Sequence, residues 1–203
     1  MKPSPAAVAL AIGWLCAPVA RAEPAPVPDH CKTPPTPSPF VRTEAAYDLP
    51  DLTLVDQAGR PVRLRELAAS DRPIALNFIF ATCTTICPVM TATFAQLRTE
   101  LGPDVDRVRF VSITIDPEHD TPAVLAAYAD KFDAPADWSF LTGPSADIEQ
   151  ALRAFDAYTG SKLAHRPITL VSEPGRNRWV RLEGLGSGKA LADEVRTVLA
   201  SPR

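Results

Sequence analysis

The chain has no basic stripe, no glycine-rich phosphate loop and no internal repeat, and its net charge of −3 with a pI near 5.6 offers no electrostatic footprint for nucleic acid. Its N-terminal apolar run, Ala6 to Ala20, is broken by Gly13 and Pro18 and spans about 15 residues, short of the roughly 20 that a membrane-crossing helix needs. Histidine is scarce, with three residues, and cysteine stands at four. Few side chains can therefore serve as soft metal donors or redox groups.

What the N-terminus does carry is an address. Lys2, the apolar stretch and then Ala20-Arg21-Ala22 predict a secretory signal over residues 1–22 with cleavage after Ala22, a retained anchor being the alternative. Cys16 follows Gly-Trp-Leu and lacks the small residue expected just ahead of a lipidated cysteine. The predicted location is the periplasm, or the periplasmic face of the inner membrane if the segment is retained. In that oxidising compartment cysteines form disulfides unless a reductant or a metal prevents it. The mature chain would hold Cys31, Cys83 and Cys87, an odd count that leaves one thiol outside any internal pair. Cys31 is a free or intermolecular thiol, or joins His30 as a sulfur and nitrogen donor pair.

From residue 23 to 43 the chain is proline-rich, with Pro24, Pro26, Pro28, Pro34, Pro35, Pro37 and Pro39, which predicts an extended tether. Residues 44–203 are then one domain, and the chain's 46% hydrophobic content suffices for a core without disulfide staples. Leu52, Leu54 and Val62, Leu64 flank Asp56-Gln-Ala-Gly-Arg60 as a hairpin. Pro73 to Phe80 reads as a central strand and Val108 to Ile115 as the next, with a helix between them led by Pro88. Further helices are expected from Thr121 to Phe132, Ser145 to Tyr158 and Leu191 to Leu199, with a strand at Trp138 to Leu141 and a hairpin of Ile168 to Val171 and Trp179 to Leu182. This order predicts an α/β, thioredoxin-like fold: a central mixed sheet, flanking helices and an N-terminal hairpin.

Cys83 and Cys87 then fall at a strand–helix junction beyond the carboxyl end of the first long strand, where open α/β sheets bind ligands. Cys87 is expected to cap the helix N-terminus, whose dipole and free N–H groups would stabilise its thiolate. Three residues separate the two thiols, one more than in the CxxC of disulfide exchangers, so the spacing admits a disulfide or a soft metal.

Taken together, Cys83-Thr-Thr-Ile-Cys87-Pro88, the segment Ser112-Ile-Thr-Ile-Asp116-Pro117-Glu-His-Asp120-Thr121-Pro122, and a histidine just before the C-terminal hairpin resemble the Sco/SenC family of copper-binding, thioredoxin-fold proteins. The resemblance runs from about Tyr47 to the C-terminus. It implies delivery of copper to the binuclear copper centre of cytochrome c oxidase, reduction of that centre's cysteines, or both, with the oxidase's copper-bearing subunit as partner. It also implies Cys83, Cys87 and His165 as copper ligands. The donor chemistry agrees, since Cu(I) prefers soft thiolates and Cu(II) gains from an added imidazole. His30 lies in the tether and His119 in a turn, where an exposed loop histidine is the simpler reading.

Two departures weigh on this picture. The family often has Asp directly before the ligand histidine, whereas this chain has Ala164, which withdraws a carboxylate that would orient the imidazole. Arg166-Pro167-Ile-Thr-Leu170 resembles the cis-proline strand entry of thioredoxins, which favours thiol exchange, the alternative being that Pro167 simply starts a strand. Asp116 and Asp120 are expected to set turns and cap the next helix, with Asp116 the candidate to support the site because it ends a strand on the thiol side. Met90 could offer a thioether, although it, Trp138 and Phe140 are most simply core. The classes that remain are a copper metallochaperone and a thiol–disulfide oxidoreductase. A peroxidase shares the fold but needs an arginine beside its thiol, and none lies near this motif.

Overall fold

The computed structural model describes residues 39–201; the expected signal, most of the tether, Cys16, His30 and Cys31 lie outside the described residues. In chain order the elements are β1 (Val41–Ala45), β2 (Thr53–Val55), β3 (Pro61–Arg63), α1 (Leu64–Ala68), β4 (Ile74–Ile79), α2 (Ile86–Leu101), β5 (Arg109–Thr114), α3 (Pro122–Asp130), β6 (Trp138–Leu141), α4 (Ser145–Ala154), β7 (Ile168–Ser172), β8 (Trp179–Glu183) and α5 (Gly188–Leu199). Six strands form one mixed sheet in the order β1-β8-β7-β4-β5-β6, and β2 and β3 form the separate N-terminal hairpin. The fold is thioredoxin-like.

β4 sits inside the sheet because all six of its residues are buried, as a strand covered on both faces must be. It runs parallel to β5 and antiparallel to β7, with Asn77 opposite Thr169 as the last β4–β7 rung. One apolar core packs Phe94, Leu97, Leu191 and Val195 against Ala75, Ile79 and Trp138, and so lies under α2 and α5. The other gathers Leu54, Leu64, Phe78, Ile148 and Phe155 beneath the hairpin, α1 and α4. Helices α2 and α5 approach closely at Gly188, where an added Cβ would stand 2.4 Å from the Gln96 Cβ. Any larger residue there would push the two helices apart.

Two elements differ from the sequence reading. β1 pairs with β8 from Val41 opposite Glu183 to Ala45 opposite Trp179, so the sheet takes in residues 41–43 of the expected tether, and Phe40 is buried against the core. Leu64 leaves the hairpin and begins α1. At the other edge, β6 is closed by a side chain: Gln57 Nε2 donates to the Trp138 carbonyl and its Oε1 accepts from the Phe140 N–H, both at 2.8 Å.

The register places the carboxyl ends of β4, β5 and β8 at the same end of the sheet as the start of β7. Both thiols and His165 belong to connections at that end.

Candidate metal and thiol centre

The thiol segment is the turn that converts β4 into α2. Thr85 holds the N-cap position and α2 begins at Ile86, with Pro88 in the first turn where its missing N–H costs nothing. Cys87 is thus not the cap but a fully buried residue of the first turn. The sulfur that meets the helix N-terminus is that of Cys83, 3.5 Å from the Cys87 amide N, which donates to it, and 3.5 Å from Thr85 Oγ1. Both cysteines are free thiols.

These surroundings divide the two thiols. Burial works to raise the Cys83 pKa, but the N–H groups of Cys87 and Thr85 and the Thr85 hydroxyl outweigh it and bring the thiol from 9.0 down to about 7. Cys87 goes the other way, raised by burial first and then by the neighbouring Cys83 and the charge of Asp120. At neutral pH the pair is one part-ionised thiolate beside one protonated thiol.

Asp120 has a different role from the helix cap expected of it, because Thr121 caps α3 by accepting from the Val124 N–H at 3.3 Å. Asp120 is instead fully buried, accepting from the Ala81 N–H at 3.1 Å and the Thr114 hydroxyl at 2.5 Å, both on Oδ2. It ties the exit of β5 to the residue two before Cys83. Burial, partly offset by the Thr114 and Ala81 hydrogen bonds, pushes its pKa above 3.8.

Asp116 is buried just beyond β5, and its carboxylate is engaged by groups other than the thiols. Its carboxylate accepts from Lys162 Nζ at 2.5 Å and from His119 Nδ1 at 2.9 Å. Burial opposes ionisation, but Lys162 and His119 outweigh it and hold the carboxyl below 3.8. His119 is exposed, as a turn residue should be, while Met90, Trp138 and Phe140 are buried core residues.

His165 follows a 3-10 turn, Lys162–Ala164, and its backbone N–H donates to the Lys162 carbonyl at 3.3 Å. Its Nε2 stands 3.0 Å from the Phe78 carbonyl. That carbonyl lies one residue beyond the last β4–β7 rung, so the imidazole supplies the donor that the ladder no longer provides. A carbonyl can only accept, which assigns the proton to Nε2 and leaves the Nδ1 lone pair open. Burial lowers the pKa of His165 below 6.5, more than the Phe78 contact raises it, so the ring is neutral at pH 7. In this arrangement the ring's acceptor is the backbone of β4 rather than a carboxylate at position 164. The peptide bond ahead of Pro167 is trans, so the cis-proline surface expected by analogy is not formed.

Thiols and imidazole share one end of the sheet but are not gathered: among the described residues no three His, Cys, Asp or Glu side chains converge on a metal-sized point. The residue types suit a soft ion, with two thiols close together and a neutral imidazole. Sequence reasoning missed Thr85, the Phe78 carbonyl and Lys162, none of which carries a signal in local pattern.

The SCO1/SenC family model matches residues 42–176. The chain belongs to the SCO1/SenC family. The resemblance read from its motifs is thereby borne out. It is 38% identical over 114 residues to the SCO1 protein homolog of Bacillus subtilis, covering 55% of this chain and 58% of that protein. It is 30% identical over 122 residues to Protein SenC of Rhodobacter capsulatus, covering 59% and 52%. The chain therefore spans about half the length of the curated relatives it matches. Among solved structures, BsSco, described as carrying a disulfide switch and as a member of the Sco family of cytochrome c oxidase assembly proteins, matches at 27% identity and TM-score 0.65, over 78% of this chain and 96% of that one. Bradyrhizobium japonicum ScoI with copper bound shares the fold at 23% identity and TM-score 0.63, over 76% and 99%.

Proposed function

We propose that this Sco/SenC protein is an exported copper metallochaperone that binds copper through Cys83, Cys87 and His165 and delivers it to, or matures, the binuclear copper site of cytochrome c oxidase. The observation that carries the proposal is the pairing of two adjacent free thiols at the α2 N-terminus with a neutral, Nδ1-open imidazole at the same end of the sheet. Copper here is cargo. The two thiols suffice for Cu(I), which accepts low coordination by soft sulfur, and His165 adds the nitrogen that favours Cu(II). The copper-bound ScoI of Bradyrhizobium japonicum supports this reading, as does the cytochrome c oxidase assembly role described for BsSco. The signal over residues 1–22 and the tether that follows would place the domain in the periplasm, free or held at the inner membrane. Among the described residues no helix is long and apolar enough to cross a membrane.

The unequal thiols favour a second reading, a thiol–disulfide oxidoreductase acting on cysteines of a copper site. The Cys83 thiolate would attack a partner disulfide, forming a mixed disulfide and releasing one partner thiolate. Cys87, on losing its proton, would then attack the Cys83 sulfur, releasing the second partner thiol and leaving Cys83 and Cys87 joined. A buried protonated Cys87 suits the resolving role and a thiol near pKa 7 suits the attacking one.

The two readings separate at His165, which disulfide exchange does not need. Cu(II) added to reduced protein is expected to give a thiolate-to-copper charge-transfer absorption that His165→Ala weakens or shifts. An unchanged spectrum would remove His165 from the site.

A further inference from the structure

His165 lies near the end of a segment, residues 157–166, that little apolar burial holds in place. Leu163 is 89% exposed, and the only regular structure between α4 and β7 is the three-residue turn Lys162–Ala164. A cleft of about 120 Å³ lies beneath the segment, lined by Ile115, Leu152, Ala157, Tyr158 and Ser161 among others. Gly160, at φ +72° and two residues before Lys162, occupies a conformation that other residues rarely adopt. Thr159 and Ser161 bond within the segment and Arg153 stands 3.9 Å over the Tyr158 ring, so few polar side-chain contacts tie residues 159–166 to the rest of the fold. Arg166 holds the far end through Glu183 at 3.2 Å and the Asp156 carbonyl at 3.3 Å. In the middle, the Lys162 ammonium meets the Asp116 carboxylate and stands 5.7 Å from the centre of the Phe80 ring.

We propose that the Lys162–Asp116 ion pair is a latch that keeps His165 on the Phe78 carbonyl, and that its release lets the imidazole join the thiols. Lys162 is then a positioning residue, acting through the turn it begins and His165 ends. The inference rests on the reading of His165 as a copper ligand. Three features suit the pair to opening. Lys162 is 37% exposed, so its ammonium returns to water at modest cost. Asp116 keeps His119 on its other oxygen, so opening does not strand a buried carboxylate without a partner. Because the His165 N–H is bonded to the Lys162 carbonyl, a shift of Lys162 is passed to His165 through three residues of backbone.

The test uses reduced, metal-free protein and two readouts. Amide hydrogen exchange over residues 160–166 reports the segment itself, and stopped-flow growth of the charge-transfer absorption after mixing with Cu(II) reports arrival of the imidazole. Lys162→Met is expected to speed both at least tenfold, while Lys162→Arg, which keeps the ion pair, stays within about twofold of the parent. Exchange at the parent rate in Lys162→Met would overturn the latch. So would faster exchange without faster copper uptake, since the segment would then move without gating the ligand. His165→Ala separates the two levels of the argument. An unchanged copper spectrum there removes the ligand reading and the latch with it, whereas a changed spectrum with parent-like Lys162→Met kinetics removes the latch alone.

Discussion

The thiol segment and the histidine segment lie at the same end of one sheet, yet they are built on opposite principles. Three buried residues anchor segment 80–87 in the main core: Phe80, Cys83 and Cys87 belong to the same apolar cluster as Phe94 and Leu97, and the Asp120 carboxylate clamps the Ala81 amide. Residues 157–166 have an exposed leucine, one short turn and a handful of polar contacts, with the ring of His165 tied to a single carbonyl. On the proposed reading, one half of the donor set is preorganised and the other half movable. A chaperone benefits from such a division, because a cargo ion must be held and also surrendered, and the ligand that moves can govern its release.

Perturbing the clamp should expose the difference most strongly. Asp120→Ala removes the acceptor of the half-buried Ala81 N–H and of the buried Thr114 O–H and is expected to cost about 2–4 kcal/mol of folding stability, read as a shift of the urea midpoint at unchanged slope. A loss under about 0.5 kcal/mol would show that the thiol segment does not depend on this carboxylate. Next in size is His165→Ala, expected to weaken Cu(II) binding by roughly 10- to 100-fold while leaving Cu(I) affinity within a few-fold, as measured by competition with chelators selective for each state. Equal losses for both ions would deny that the two arms have separate duties.

Differences within the rigid arm are smaller but can be resolved. In reduced, metal-free protein, alkylation should modify Cys83 first. Its rate should rise through pH 7, because the thiolate is populated above a pKa of about 7, while Cys87 lags by at least about tenfold. Peptide mapping after brief labelling at pH 6 and pH 8 checks both points. The smallest effect belongs to the movable arm. The folded-state pKa of His165 is depressed, so below pH 6.5 the unfolded chain takes up a proton that the folded chain refuses, and stability falls as pH drops through that window. His165→Gln should flatten that part of the stability profile; an unchanged slope would mean the imidazole is not held neutral.

Most of the scaffold was legible because its strands and helices carry strong periodicity or strong punctuation. The six-residue buried run of β4 and the Thr121-Pro122 start of α3 are examples. β1 was not legible, since Val41–Ala45 lies at an edge with four of its five residues exposed and follows a run of prolines, so it has no alternation to read. The thiols were located correctly, but their roles at the helix start were exchanged. The cap is set by the backbone at Thr85, and a shift of two positions turns a capping cysteine into a buried one. Asp120 and Lys162 were opaque for another reason. Their partners, Ala81 and Asp116, lie 39 and 46 residues away, and only the folded sheet brings them together.

If Cys83 and Cys87 form the copper site, with His165 as the ligand that joins them, copper retention depends on the two thiols. The deciding measurement is the copper content of protein purified under reducing conditions from copper-supplemented cells, beside a Cys83→Ser/Cys87→Ser variant prepared in the same way. About one copper per chain is expected in the parent and none in the variant; equal copper in the two would rule this site out.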